Sequence, residues 1–219
     1  NTGRLMTDVL EETIPGTRAV VLSGPTFAGE VALGLPTAIT LAAKDSNDAS
    51  YVAKIIGGAQ FRTYVSDDPI GAQVAGATKN VLAIACGIAE GKSLGQNAIA
   101  AIITRGIAEI GRLTTELGGS AESMMELAGV GDIVLTCTSS QSRNFSFGCR
   151  VGQEQTPISA LIKSSGTVEG FGTAASIAYL SQRLQIDMPI MQAVAQVLHQ
   201  GANIDDTISS LLARSSNGI

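Results

Sequence analysis

The chain has 219 residues, of which 45% are hydrophobic, 15% charged and 4% aromatic, with a net charge of −5. An acidic chain without a basic stripe excludes a general affinity for nucleic acid. One histidine and three cysteines without CxxC spacing exclude a zinc site, so no metal is expected. No apolar run approaches the roughly 20 residues that cross a bilayer. The longest, VLAIACGIA at residues 81–89, leaves no membrane span expected. Cys86, Cys137 and Cys149 read as reduced packing residues of a cytoplasmic protein. Met6 falls inside the helical pattern of Leu5, Met6, Val9 and Leu10 and makes a poor start site. The chain therefore reads as the later portion of a longer protein.

Residues 1–73 carry an α/β pattern. RAVVLSG (18–24) is an apolar, β-branched run ending in Gly-Pro, which predicts a buried strand and a turn. PTFAGEVALG predicts a helix with Thr26 near its start. TAITLAAKD (37–45) predicts a second strand, a helix follows over about 49–60, and FRTYVSDD predicts a third strand. That is too few strands for a complete nucleotide-binding sheet. From about Val74 onward the pattern is helical. The first helix, over 75–90, is small and apolar. Asn97 is expected to cap the next, whose residues Ile99, Ile102, Ile103, Ile107, Ile110, Leu113 and Leu117 follow three-four spacing. The i,i+4 pairs Arg105–Glu109 and Arg112–Glu116 suggest a solvated face on it. Gly118-Gly119 stops this helix, and Ser120 caps a short one to Ala128. Further helices are predicted over 172–184, 189–200 and 205–213, the last starting at Asn203. Abundant Ala and Gly favour close approach of the helix axes.

Chemistry gathers at a few places. Lys79 stands beside Asn80 among apolar neighbours. It is either a lysine whose stem lies along its helix with the ammonium in water, or one in a dry cleft suited to acid-base work. Asp132, between Gly131 and an apolar run, is either a helix cap or a partner that orients the lysine or the substrate. Thr136 shares its face if the segment is helical. Ser139, Ser140, Ser142, Arg143 and Asn144 fit either an ordinary capped helix or an anion site, where free N–H groups and a guanidinium fork meet phosphate oxygens. SGPTFA (23–28) is a strand, turn and helix start whose backbone and Thr26 can reach a ligand at the sheet's carboxyl edge. His199, near a helix C-terminus, reads as structural.

These segments resemble the NAD(P)-dependent glycerol-3-phosphate dehydrogenase family of the soluble bacterial type. The matching stretches are VLSGPTFAGE, GATKNVLAIACG, GVGDIVLTCTSSQSRN and GTVEGFGTA, in the family's order. The resemblance implies a mainly α protein: an all-helical substrate domain (74–219) preceded by the C-terminal part of an α/β Rossmann dinucleotide-binding domain (1–73), with the site in the cleft between. It implies Lys79 as proton acceptor from the 2-hydroxyl of sn-glycerol 3-phosphate, with Asp132 assisting. Gly24, Thr26, Asn80, Asp132, Thr136, Ser142, Arg143 and Asn144 would line the substrate site. Ala28, Arg143, Thr167 and Glu169 would touch NAD or NADP. The product would be dihydroxyacetone phosphate, in glycerophospholipid precursor metabolism. A homodimer through the helical half is a further expectation.

Two departures stand out. No G-x-G-x-x-G fingerprint occurs in the chain, so by itself it is expected to show no measurable dehydrogenase activity. Phe145-Ser146 follows Asn144 where many bacterial relatives are basic. Two other readings compete: a related hydroxyacid or sugar-acid dehydrogenase in which Arg143 clamps a carboxylate, and a non-catalytic helical assembly module.

Overall fold

The computed structural model describes residues 3–154, 156–164 and 166–214. They form two compact units. One comprises residues 4–76 and 111–133, the other residue 3, residues 77–110 and the described residues of 134–214.

The first unit opens with α1 (Met6–Thr13) and is built on a three-stranded sheet, β1 (Val21–Ser23), β2 (Thr37–Ala42) and β3 (Phe61–Ser66). The short helix α2 (Ala28–Ala32) links the first two strands, and α3 (Ser46–Ile56) the last two. β2 lies in the middle, antiparallel to β1 with Leu22 opposite Leu41, and parallel to β3 with Thr40 opposite Tyr64. Strand alternation turns Ile39, Leu41 and Ala43 onto α3, where Ala49, Val52 and Ala53 cover them. Ala42 points the other way, onto Ala72 and Ala128. Both faces of β2 are thus buried, as its continuous apolar run requires. β1 corrects the expectation of a buried strand. It is a three-residue edge, and Leu22 is 52% exposed.

Asp45 caps α3, its carboxylate accepting from Asn47 N–H at 2.9 Å. A stronger cap opens α4 (Pro69–Gly91), which begins six residues before the expected position. The Asp68 carboxylate accepts from Gly71 N–H and Ser120 N–H, each at 2.9 Å, and from the Ser123 hydroxyl at 2.6 Å. Burial pushes this carboxyl up. Hydrogen bonds from Gly71, Ser123, Ser120 and Ile70 outweigh that and hold it below the ordinary carboxylate range. A folded pKa below the unfolded one adds stability that is present above the unfolded value, near ~4, and is lost as pH falls through the folded value. Asp68→Ala is expected to cost about 2 kcal/mol at neutral pH. The variant should also lose less than the parent on going from pH 7 to pH 3, which urea melts at both pH values will measure.

By length and composition α4 could cross a membrane, but 72% of its apolar window is buried inside the protein. It is a core helix. α5 (Gln96–Glu116) starts one residue before Asn97, so Asn97 lies inside the helix rather than capping it. Beyond Gly118 (φ 88°), Ser120 caps a 3₁₀ turn (Ala121–Met125), accepting from Glu122 N–H at 3.1 Å. A wide turn (Leu127–Gly131) leads into α6 (Asp132–Thr138).

In the second unit, α4 and α5 continue and are joined by α7 (Arg143–Glu154), α8 (Pro157–Ile162), α9 (Glu169–Arg183), α10 (Pro189–His199) and α11 (Ile204–Leu212). Small residues set the spacing of α4 and α7. A Cβ on Gly148 would lie 2.3 Å from the Ile84 carbonyl oxygen and 3.0 Å from Gly87 Cα. One on Gly152 would lie 3.1 Å from Gly91 Cα. Glu109 corrects the solvated-face reading. It is 2% exposed, and its carboxylate accepts from Ile190 N–H at 2.9 Å and Met191 N–H at 3.1 Å, closing the first turn of α10. Asn203 caps α11 through Asp205 N–H and Asp206 N–H. His199 is structural: its Nε2 lies 2.7 Å from the Phe171 carbonyl oxygen, and the two rings meet edge to face. Cys86 and Cys137 are buried free thiols. Burial, then the nearby Glu90 charge, push the Cys149 thiol above its ordinary range, which leaves it a poor nucleophile.

Candidate functional site

In the second unit the predicted residues of three helices meet. Asn80 on α4, Asn144 in the first turn of α7 and Glu169 at the start of α9 form one chain of hydrogen bonds. Asn144 Nδ2 donates to Asn80 Oδ1 at 2.9 Å, and Asn80 Nδ2 donates to Glu169 Oε2 at 3.2 Å. Gly170 N–H donates to Asn144 Oδ1 at 2.9 Å. Both asparagines are buried, so these bonds offset a desolvation cost on the order of 1–3 kcal/mol per group. Each amide nitrogen carries a second N–H. Gly170 joins the cluster although no motif singles it out. Its Cβ would stand 2.7 Å from the Asn80 carbonyl oxygen, so only glycine admits this approach. The run EGFG at the head of α9 was the available signal.

α7 begins at Arg143 rather than at the serines. Ser142 is its cap, with Oγ accepting from Phe145 N–H at 3.3 Å. Phe145, standing where a basic residue was the alternative, is buried. Arg143 is exposed, makes no hydrogen bond among the described residues, and stands beside Gly166, whose Cβ would lie 3.2 Å from its Nη1. That leaves a free planar fork at a helix start. Thr167 is exposed on the segment that follows, and Glu169 is exposed beside it. Lys79 is half-buried one residue before Asn80, and Thr136 is buried on α6.

The first unit holds the remaining residues. Gly24 has φ +148°, and its Cβ would meet Ile39 Cα at 3.0 Å, so the turn after β1 hugs β2. Thr26 Oγ1 donates to the Gly24 carbonyl at 3.2 Å, and Ala28 opens α2. Gly131 packs against Pro25 of the same turn, its Cβ position 3.5 Å from Pro25 Cγ. The next residue, Asp132, is 2% exposed and has helical angles, φ −72° and ψ −34°. It is therefore the first residue of α6 rather than a cap in extended geometry. Thr136 follows one helical turn later.

The first unit has a helix between two parallel strands and a tight turn after its edge strand, as parts of α/β folds do. The C-terminal sequence model of NAD-dependent glycerol-3-phosphate dehydrogenase matches residues 68–209, and its N-terminal counterpart residues 1–49. The chain belongs to this family. It is similar to the glycerol-3-phosphate dehydrogenase [NAD(P)+] of Parvibaculum lavamentivorans, 46% identical over 98% of the chain and 64% of that protein. The protein of the same name from Pasteurella multocida is 48% identical over 100% of the chain and 65% of its own length. The crystal structure of glycerol-3-phosphate dehydrogenase from Coxiella burnetii superposes with a TM-score of 0.93 at 40% identity, covering 97% of this chain and 65% of that one. The chain thus spans about two thirds or less of these relatives.

Proposed function

We propose that this chain supplies the substrate-binding and acid-base residues of an NAD(P)-dependent oxidoreductase that interconverts sn-glycerol 3-phosphate and dihydroxyacetone phosphate. The observation that carries it is the bonded cluster of Asn80, Asn144, Glu169 and Gly170 beside Lys79 and the free Arg143 fork. Residues 1–73 would then be the Rossmann part and residues 74–219 the helical substrate domain.

In the forward direction the Lys79 amine takes the 2-hydroxyl proton as the C2–H leaves as hydride, and the C2–O bond becomes a carbonyl. In reverse the ammonium returns that proton. Asp132 orients the amine or the hydroxyl, with Thr136 beside it. Arg143, Ser142 and the second N–H groups of Asn80 and Asn144 receive the polar and phosphate end. Gly24 and Thr26 border the substrate. Arg143, Thr167, Glu169 and Ala28 would hold the dinucleotide. The exposed Arg143 guanidinium and Glu169 carboxylate fit its charged and hydroxyl groups. When bound it supplies the hydride acceptor.

The test is a comparison of kcat/KM in an enzyme that carries residues 1–219 with a G-x-G-x-x-G segment. sn-Glycerol 3-phosphate should exceed glycerol and unphosphorylated 2-hydroxy acids by about a hundredfold or more, the discrimination expected when a charged fork loses its partner. Equal rates on a carboxylate substrate would favour a hydroxyacid dehydrogenase instead. The reading places the enzyme in the cytoplasm. It also carries a homodimer through the helical half, which sedimentation velocity will check.

A further inference from the structure

The segment between α8 and α9 carries Thr167 and leads into Glu169, the first residue of α9, and two arginines of α7 stand along it. Arg143 lies against Gly166, which has φ +84°. Two helical turns later, Arg150 Nη2 donates to Ser164 Oγ at 2.8 Å. Ser164 Oγ in turn donates to the Ala160 carbonyl at 2.9 Å, so its hydroxyl joins α7 to the last turn of α8. Arg150 Nε is buried without a hydrogen-bond partner among the described residues. Ser164 holds the Nη2 arm of the same guanidinium. Arg150 belongs to none of the roles assigned above.

We infer that Arg150 is a positioning residue: through Ser164 it fixes the start of the 164–168 segment, and so the register in which Thr167 and Glu169 meet the dinucleotide. The fixed point has two supports and a short span. Ser164 is anchored at one end, and Gly170 N–H is tied to Asn144 at the other. Loosening the Ser164 end releases Thr167 and Glu169 while leaving the Asn80–Asn144 bond intact. The part concerning the dinucleotide rests on the proposed function; the anchoring does not.

Arg150→Met, Arg150→Lys and Ser164→Ala separate the two. Amide hydrogen exchange on the chain should show faster exchange at residues 166–170 in Arg150→Met and Ser164→Ala, unchanged protection in α4, and partial recovery in Arg150→Lys. Unchanged exchange at 166–170 in both variants, or a uniform loss of protection across the helical unit, would overturn the anchoring. In the enzyme with its dinucleotide segment, KM for NAD(P) should rise about fivefold, the effect of one lost hydrogen bond, with KM for sn-glycerol 3-phosphate unchanged. Equal changes in the two KM values, or none in either, would overturn the positioning role. A wild-type enzyme inactive on sn-glycerol 3-phosphate strikes the proposed function alone, because the exchange measurement needs no turnover.

Discussion

Lys79→Ala should lower kcat for oxidation of sn-glycerol 3-phosphate by about 10²- to 10⁴-fold, the range for loss of a positioned general acid or base. Its effect on KM should be small, because the proposed function gives the phosphate end to Arg143 and the α7 start. Lys79 is half-buried on α4, one residue from Asn80, whose amide is fixed by Asn144 and Glu169. The backbone that aims the lysine is therefore held from two other helices. The substitution removes one side chain without opening a fully buried cavity, so thermal melts should stay close to those of the parent. Lys79→Arg keeps the charge but not a group that gives up its proton, and should be nearly as inactive. Turnover within a few-fold of the parent in either variant would remove Lys79 from the chemistry.

The second large effect concerns the scaffold. Gly87→Ala is expected to destabilise the chain by about 3 kcal/mol or more, at the upper end of what an overpacked core costs. The added Cβ would meet the Phe145 carbonyl oxygen, the Cys149 backbone nitrogen and Gly148 Cα, all on α7 and all backbone except for their attached groups. None can rotate away as a side chain would, so α4 and α7 must separate. That separation would also part Asn80 from Asn144. Gly172→Ala is the control. It lies in α9 with nothing within 4 Å of its Cβ position, and alanine there should be neutral or stabilising by up to about 1 kcal/mol. Urea unfolding of the pair checks the contrast. Equal midpoints would show that helix approach does not depend on the missing Cβ.

The parts legible in the sequence are those decided by local chemistry. TAITLAA is a β-branched run bounded by a proline and a charged pair, and it forms β2 within a few residues of the predicted limits. Asn203 followed by two aspartates caps α11 as read. The start of α4 is also written locally, because Asp68-Pro69 is a cap followed by a first-turn proline. The short helix α8 had too few residues for periodicity to register. Glu109 shows the deeper limit. Its i,i+4 spacing to Arg105 is what a solvated pair would show, yet its carboxylate serves backbone donors 81 and 82 residues away. Local spacing carries no information about which neighbour covers a face. The same applies to the site. Asn80 and Asn144 were identified by motif, but the bond linking them, and the one to Glu169, join residues 64 and 89 positions apart. Only tertiary packing creates them.

The fate of one hydrogen, the one on C2, distinguishes hydride transfer from the alternatives. sn-[2-²H]glycerol 3-phosphate should be oxidised with NAD(P) in an enzyme that carries this chain, and the nicotinamide product examined by mass spectrometry. Deuterium recovered on the nicotinamide, alongside dihydroxyacetone phosphate, is the predicted result. Deuterium released to water, or no product from this substrate while an unphosphorylated hydroxy acid reacts, would contradict it.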